Sequence, residues 1–215
     1  GELSPFSDVD LLFLSDDPAG DDDPRVSAFL RFLWDLNLDL GHSTRTPEEC
    51  IRTAGEDSFF ATSLLESRFA AGRVGLDADL RRRYAEFLAG GEWKRIALKK
   101  IEERRLRIES FNGTVQIQTP NLKESPGGLR DGHLVRWLAA LSGGEGGFTG
   151  AERAGYLAPG EGMVIEVSYG FLLRLRNALH FAAGKRTDVL NHVVIQDAAL
   201  RLGYEGKGAR PGERL

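Results

Sequence analysis

The chain has 215 residues, a formal net charge of −4 and a pI near 5.7, with 41% hydrophobic and 28% charged residues. That is an ordinary globular composition with room for one large or two small domains, and it argues against a broad nucleic-acid surface, which would need clustered excess Lys and Arg. The single cysteine, Cys50, excludes an intrachain disulfide, and no apolar run approaches the roughly 20 residues that cross a bilayer, so a cytoplasmic location away from membranes is expected.

No signal-peptide pattern opens the chain. It begins at Gly1 inside what reads as a motif, so an upstream piece is expected. Ser4, Pro5 and Ser7 punctuate a turn, and Val9 with Leu11 to Leu14 forms an apolar run that predicts a buried strand. Side chains alternate faces along a strand, so Asp8 and Asp10 share one face about 6 to 7 Å apart while Val9 points into a core. Two carboxylates that close repel unless a cation lies between them, and Mg2+ bridging to phosphate is the usual solution. The plain alternative is a turn residue and an edge-strand charge with no metal. An acid facing inward on an apolar strand costs several kcal/mol to desolvate unless paired or liganded, which favours the metal.

Asp16 to Pro24 reads as an acidic loop with no binding role. Val26, Phe29, Leu30, Leu33, Trp34 and Leu36 recur at helical spacing, and 38–45 reads as a second strand beside the first. Thr46-Pro47-Glu48-Glu49 is a capping box with Pro at the first helical position. Helical pieces then run to about Leu88, broken near Gly55 to Asp57 and Gly72 to Gly75, with Ala61 to Arg73 as one piece. A charged helix from Trp93 to Arg107 is expected to bury Trp93, Ile96, Ala97, Ile101 and Leu106. Its run Glu102-Glu103-Arg104-Arg105 reads as a solvated face.

The alternation in Thr114 to Thr119 predicts a third strand. Pro120 to Asp131 follows, with Lys123 and Arg130 around Gly127-Gly128. Glycine suits a backbone that approaches an anion, and the two cations would hold phosphate oxygens. The structural alternative is a helix start with Asp131 as N-cap. Beyond Gly143 to Gly147 the pattern is helical: a start at Thr149, a long helix from Met163 to Ala183 and a short one from Ile195 to Leu202. The stripe Ile165, Tyr169, Leu172, Leu173, Leu175, Leu179 and Phe181 reads as bundle core, with Arg174 and Arg176 on polar sides. His180 reads as a structural residue, since no second ligand is spaced to join it. Glu205 to Leu215 reads as a fraying end.

Three stretches converge on one resemblance: Gly1 to Leu14, Leu40-Gly41-His42-Ser43-Thr44-Arg45-Thr46, and Pro120-Asn121-Leu122-Lys123 with Gly127-Gly128-Leu129-Arg130-Asp131. Together they resemble the bacterial uridylyltransferases that modify the PII nitrogen-regulatory protein. Phe171-Leu172-Leu173-Arg174-Leu175-Arg176-Asn177-Ala178-Leu179-His180 looks like the helical region of that family, so the likeness spans nearly the whole chain. It implies an α+β fold: a DNA polymerase β-like nucleotidyltransferase core, a small mixed sheet with helices, over 1–125 and truncated at its N-terminus. An all-helical bundle domain would follow over 126–215.

The implied activity is Mg2+-dependent transfer of UMP from UTP to a tyrosine of PII, with Asp8 and Asp10 as catalytic metal ligands. Gly1, Ser7, Arg45, Lys123 and Arg130 are the implied nucleotide contacts. Where the family carries Glu before the Pro-Asn element this chain has Thr119, leaving Asp39 as a stand-in third acid. Family members continue into a metal-dependent HD hydrolase domain and two ACT domains. No His-Asp pair occurs here, so uridylyl removal and glutamine sensing are not expected of this stretch. Two other readings stay open: nucleotidyl transfer to RNA or a small molecule, and a catalytically silent regulatory or binding module.

Overall fold

A computed structural model describes residues 2–17, 23–115 and 117–204. The expected fraying end at 205–215 and most of the acidic loop lie outside them. The described chain is α+β and mostly helical. It divides into two compact units: Ser7–Ile96, and Ala97 onward together with Glu2–Phe6. The division falls inside helix α5 (Trp93–Ser110), ahead of the 125/126 domain boundary expected from sequence.

In the first unit β1 (Val9–Leu14), α1 (Pro24–Asp35) and β2 (Leu40–Arg45) form a β-α-β unit with parallel strands, the arrangement that a helical crossover imposes. The register pairs Val9 with Leu40, Asp10 with Gly41 and Leu14 with Arg45. Asp23 caps α1 by accepting from the Arg25 amide at 2.8 Å, and Pro24 belongs to the helix's first turn, not to the loop. Edge-on contacts of Phe29 with Phe13 and of Trp34 with His42 place α1 against the Leu11/Phe13 face of the sheet.

The capping box forms as read, Thr46 Oγ1 accepting from the Glu49 amide at 3.1 Å and Glu49 Oε2 from the Thr46 amide at 2.9 Å, and it opens α2 (Pro47–Glu56). α3 (Ser58–Glu66) and α4 (Val74–Phe87) follow. The Tyr84 hydroxyl ties α4 to α3 by donating to the Ala61 carbonyl at 2.6 Å. Burial holds that phenol far above its ordinary pKa. Cys50, Ala54, Ala61, Leu64, Leu80 and Ile96 are buried in this unit.

The second unit holds α6 (Leu129–Leu141), α7 (Gly147–Arg153), α8 (Glu161–Ala183) and α9 (Ile195–Arg201). One core cluster gathers Leu129, Phe148 and Tyr169; another gathers Leu122, Leu175, Ala178, Leu179 and Ala198. Each large side chain so buried contributes about 1.5 to 3 kcal/mol.

Several expectations are corrected. The described residues of 114–119 form no strand, and Val115 is exposed. A strand needs a partner edge and a buried face, and the described residues of this stretch have neither. Among the described residues the sheet is therefore two-stranded and parallel, not mixed, with one isolated antiparallel bridge between Asn121 and Val189. The helical piece read as Ala61 to Arg73 ends at Glu66. On α5, Ile96 and Ala97 are buried but Ile101 and Leu106 are exposed, while Lys100 is buried beside Trp137. Gly146, not Thr149, sits at the start of α7, and Gly128, not Asp131, at the start of α6. Phe181 is exposed, and Arg176 is buried because it pairs with Asp188 at 2.5 Å.

Candidate active site

Asp8 lies directly before β1 and Asp10 is its second residue, so both leave the face opposite α1. The Val9 amide donates to the Asp39 carbonyl at 2.8 Å, which fixes this end of the strand pair. Asp8 is half-buried and Asp10 exposed. The inward-facing acid expected from sequence is therefore absent at Asp10: water reaches its carboxylate, and desolvation alone demands no ligand there. Its Oδ1 instead leans over the backbone of Gly41, where an added Cβ would collide with it. Ser7, in the turn ahead of Asp8, is half-buried and engaged in polar contact. Gly1 lies outside the described residues.

Arg45 ends β2 on the same face. Its Nη1 donates to Thr53 Oγ1 at 3.2 Å and its guanidinium lies 5.3 Å from the centre of the Phe60 ring. The buried Nε has no hydrogen-bond partner among the described residues. This arginine thus braces β2 against α2 and α3 while keeping one donor unengaged. No group of three or more His, Cys, Asp or Glu among the described residues could hold a metal ion, so exposed Asp39 does not complete a triad with Asp8 and Asp10.

Lys123 and Arg130 belong to the second unit. Between them the chain is tied to itself. Asn121 Oδ1 accepts from the Lys123 and Glu124 amides, both at 2.9 Å, and the amides of Gly128, Leu129 and Arg130 donate to the carbonyls of Ser125, Leu122 and Lys123. The Gly127 amide donates to Asp131 Oδ2 at 2.8 Å. Gly127 has a φ of 78°, and a Cβ on Gly128 would stand 2.8 Å from the carbonyl oxygens of both Leu122 and Ser125. The glycine pair is thus required by a tight turn packed on carbonyl oxygens, and these amides are already engaged.

Asp131, three residues into α6, is the hub. Besides Gly127 it accepts from Arg107 at 2.5 Å and Arg104 at 3.0 Å. Burial works to raise its pKa, but the Gly127 amide and the Arg107 guanidinium together hold it below the ordinary range. Arg130 faces Glu124 at 3.4 Å. Lys123 is half-buried, and burial, with Arg130 and Arg176 nearby, pushes its pKa down.

Sequence reading also passed over Glu2. Its carboxylate accepts from Arg136 at 2.7 Å and from the Tyr169 hydroxyl, with His133 Nε2 3.9 Å away. Burial opposes its ionisation, yet hydrogen bonds from His133, Tyr169 and Arg136 hold the pKa at about 2. No local pattern announces this cluster, because its members come from three distant segments. His180 is fully buried, its Nδ1 accepting from the Phe6 amide at 3.3 Å; burial lowers its pKa, so it packs as a neutral structural residue.

Among the described residues no helix is long and apolar enough to cross a membrane. No solved structure matches the chain. The bifunctional uridylyltransferase/uridylyl-removing enzymes of Burkholderia mallei (strain ATCC 23344), Burkholderia pseudomallei (strain 668) and Burkholderia thailandensis are each 38% identical to it over 217 residues. Those matches cover 100% of this chain and 25% of each relative, so the chain spans about a quarter of the length of the curated relatives it matches. The family model described as GlnD PII-uridylyltransferase matches residues 95–215, and the chain belongs to that family.

Proposed function

We propose that this chain carries the nucleotidyltransferase part of a uridylyltransferase, moving UMP from UTP to a tyrosine of the PII protein with Mg2+ as cofactor. The observation that carries the reading is the β1–β2 corner, where two carboxylates share a face and one is exposed over a glycine, in a chain of this family. The names of the relatives support uridylyl transfer.

The residues fit the ion. Mg2+ takes hard oxygens, retains several waters and is held by one or two carboxylates with substrate phosphates, so a pair without a third acid suffices. Asp8 and Asp10 would hold it, and when bound it neutralises charge on the phosphate oxygens. The tyrosine oxygen bonds to the α-phosphorus as the bond to the bridging oxygen breaks; the hydroxyl proton is released and pyrophosphate leaves. Gly1 and Ser7 are proposed nucleotide contacts, Ser7 from the turn ahead of β1. Arg45, on the same face of the sheet as the two acids, is proposed to supply positive charge toward the triphosphate.

The test uses the full-length protein with PII, Mg2+ and UTP labelled at the α-phosphorus. The Asp8→Asn plus Asp10→Asn variant should lose labelling by ~10³-fold or more, the scale of several kcal/mol of charge stabilisation, while still unfolding cooperatively. Label reaching PII at the wild-type rate would contradict the reading, and label on RNA instead would identify a different acceptor.

A further inference from the structure

Gly41 faces Asp10 in the strand register, and its backbone is not left-handed, so no conformational need explains a glycine there. In a strand interior glycine is a liability of roughly 0.5 to 1 kcal/mol against alanine. What it provides is space. A Cβ at 41 would stand well inside contact distance of Asp10 Oδ1 and 3.5 Å from Asp10 Cγ, and it would meet no other non-neighbouring atom of the described residues within 4 Å. Among the described residues, what a Cβ at 41 would displace is the carboxylate of Asp10.

We propose that Gly41 is a positioning residue, whose missing side chain lets the Asp10 carboxylate lie across β2 in the orientation in which it and Asp8 hold a divalent cation. The inference rests on the metal reading of Asp8 and Asp10. A methyl group at 41 leaves Asp10 Cγ at ordinary contact distance but displaces Oδ1, so the carboxylate must turn about its Cβ–Cγ bond and leave the orientation it holds over β2. The strand pairing uses backbone groups and survives the change. Gly41 thus acts through Asp10 and touches neither substrate nor metal.

The test titrates Mn2+ into the full-length protein, following free ion by electron paramagnetic resonance, and pairs this with metal-free thermal unfolding. Gly41→Ala and Gly41→Ser should weaken Mn2+ binding about 10- to 100-fold, the usual loss when a ligand's support is removed, with the metal-free melting temperature little changed. Ser43→Ala, further along the same face, should bind as wild type does. A crystal structure of Gly41→Ala should show the Asp10 carboxylate turned away from β2, a readout that needs no metal. Wild-type Mn2+ affinity in Gly41→Ala, alongside weakened binding in Asp10→Asn, would overturn the role of Gly41 and leave the metal reading standing. Unchanged binding in Asp10→Asn would overturn both. Metal-free unfolding of both Gly41 variants would show the glycine to be needed for the fold and overturn the positioning role.

Discussion

At the β1–β2 corner Gly41 faces Asp10, whose carboxylate is exposed; in the loop before α6 Gly127 and Gly128 accompany Asp131, whose carboxylate is held by a backbone amide and two arginines. Both regions combine acid and glycine, the ingredients of a phosphate or metal site. In the loop the acid's hydrogen-bonding capacity is consumed by the protein, and the glycines serve a turn packed against carbonyl oxygens. At the corner an exposed carboxylate lies over a glycine whose backbone conformation does not require it. The contrast teaches that glycine next to acid marks chemistry only where the acid's oxygens remain open to a ligand.

That contrast can be broken from the loop side. Asp131→Ala strips three donors of a partly buried acceptor and leaves Arg107 with only Glu124, so a loss of about 2 to 3 kcal/mol is expected in denaturant unfolding. A smaller effect, about 1 to 3 kcal/mol, is expected for Gly128→Ala, because the new methyl group would press on two carbonyl oxygens that cannot easily move. A loss under 0.5 kcal/mol in either would mean that the loop is not the staple described.

Acid titration sharpens the comparison further. Glu2 and Asp131 both have folded-state pKa values below their ordinary ones. A depressed carboxylate contributes stability that is fully present above the unfolded pKa, about 4. It is lost as pH falls through the folded value, about 2 for Glu2. Stability of wild type should therefore drop between roughly pH 4.5 and 2 more steeply than that of Glu2→Gln or Asp131→Asn. Parallel curves would remove both acids from the account.

Much of the first unit was legible because its signals are local. Thr46 and Glu49 close their box within one turn, and the apolar run after Asp10 is a strand wherever it packs. The long helix α8 was legible from its stripe, Tyr169, Leu175 and Leu179 being buried as the period demands. What escaped depends on partners far away in the chain. Arg176 is buried only because Asp188 meets it, Asp131 is a hub only because α5 brings Arg104 and Arg107, and the described residues of 114–119 lack the partner that would make them a strand. At the candidate site the acid pair was visible in the spacing, but Gly41 was not, since its meaning lies in the strand register that sets it against Asp10.

The most direct test sets the two acids against each other in the full-length protein, measuring uridylyl transfer to PII and the unfolding midpoint for Asp10→Asn and Asp131→Asn, well below both melting temperatures. The account predicts a crossed result: Asp10→Asn loses transfer by ~10²-fold or more and keeps its stability, whereas Asp131→Asn loses stability and retains most of its transfer. Transfer that survives Asp10→Asn but fails in an intact, folded Asp131→Asn would contradict it.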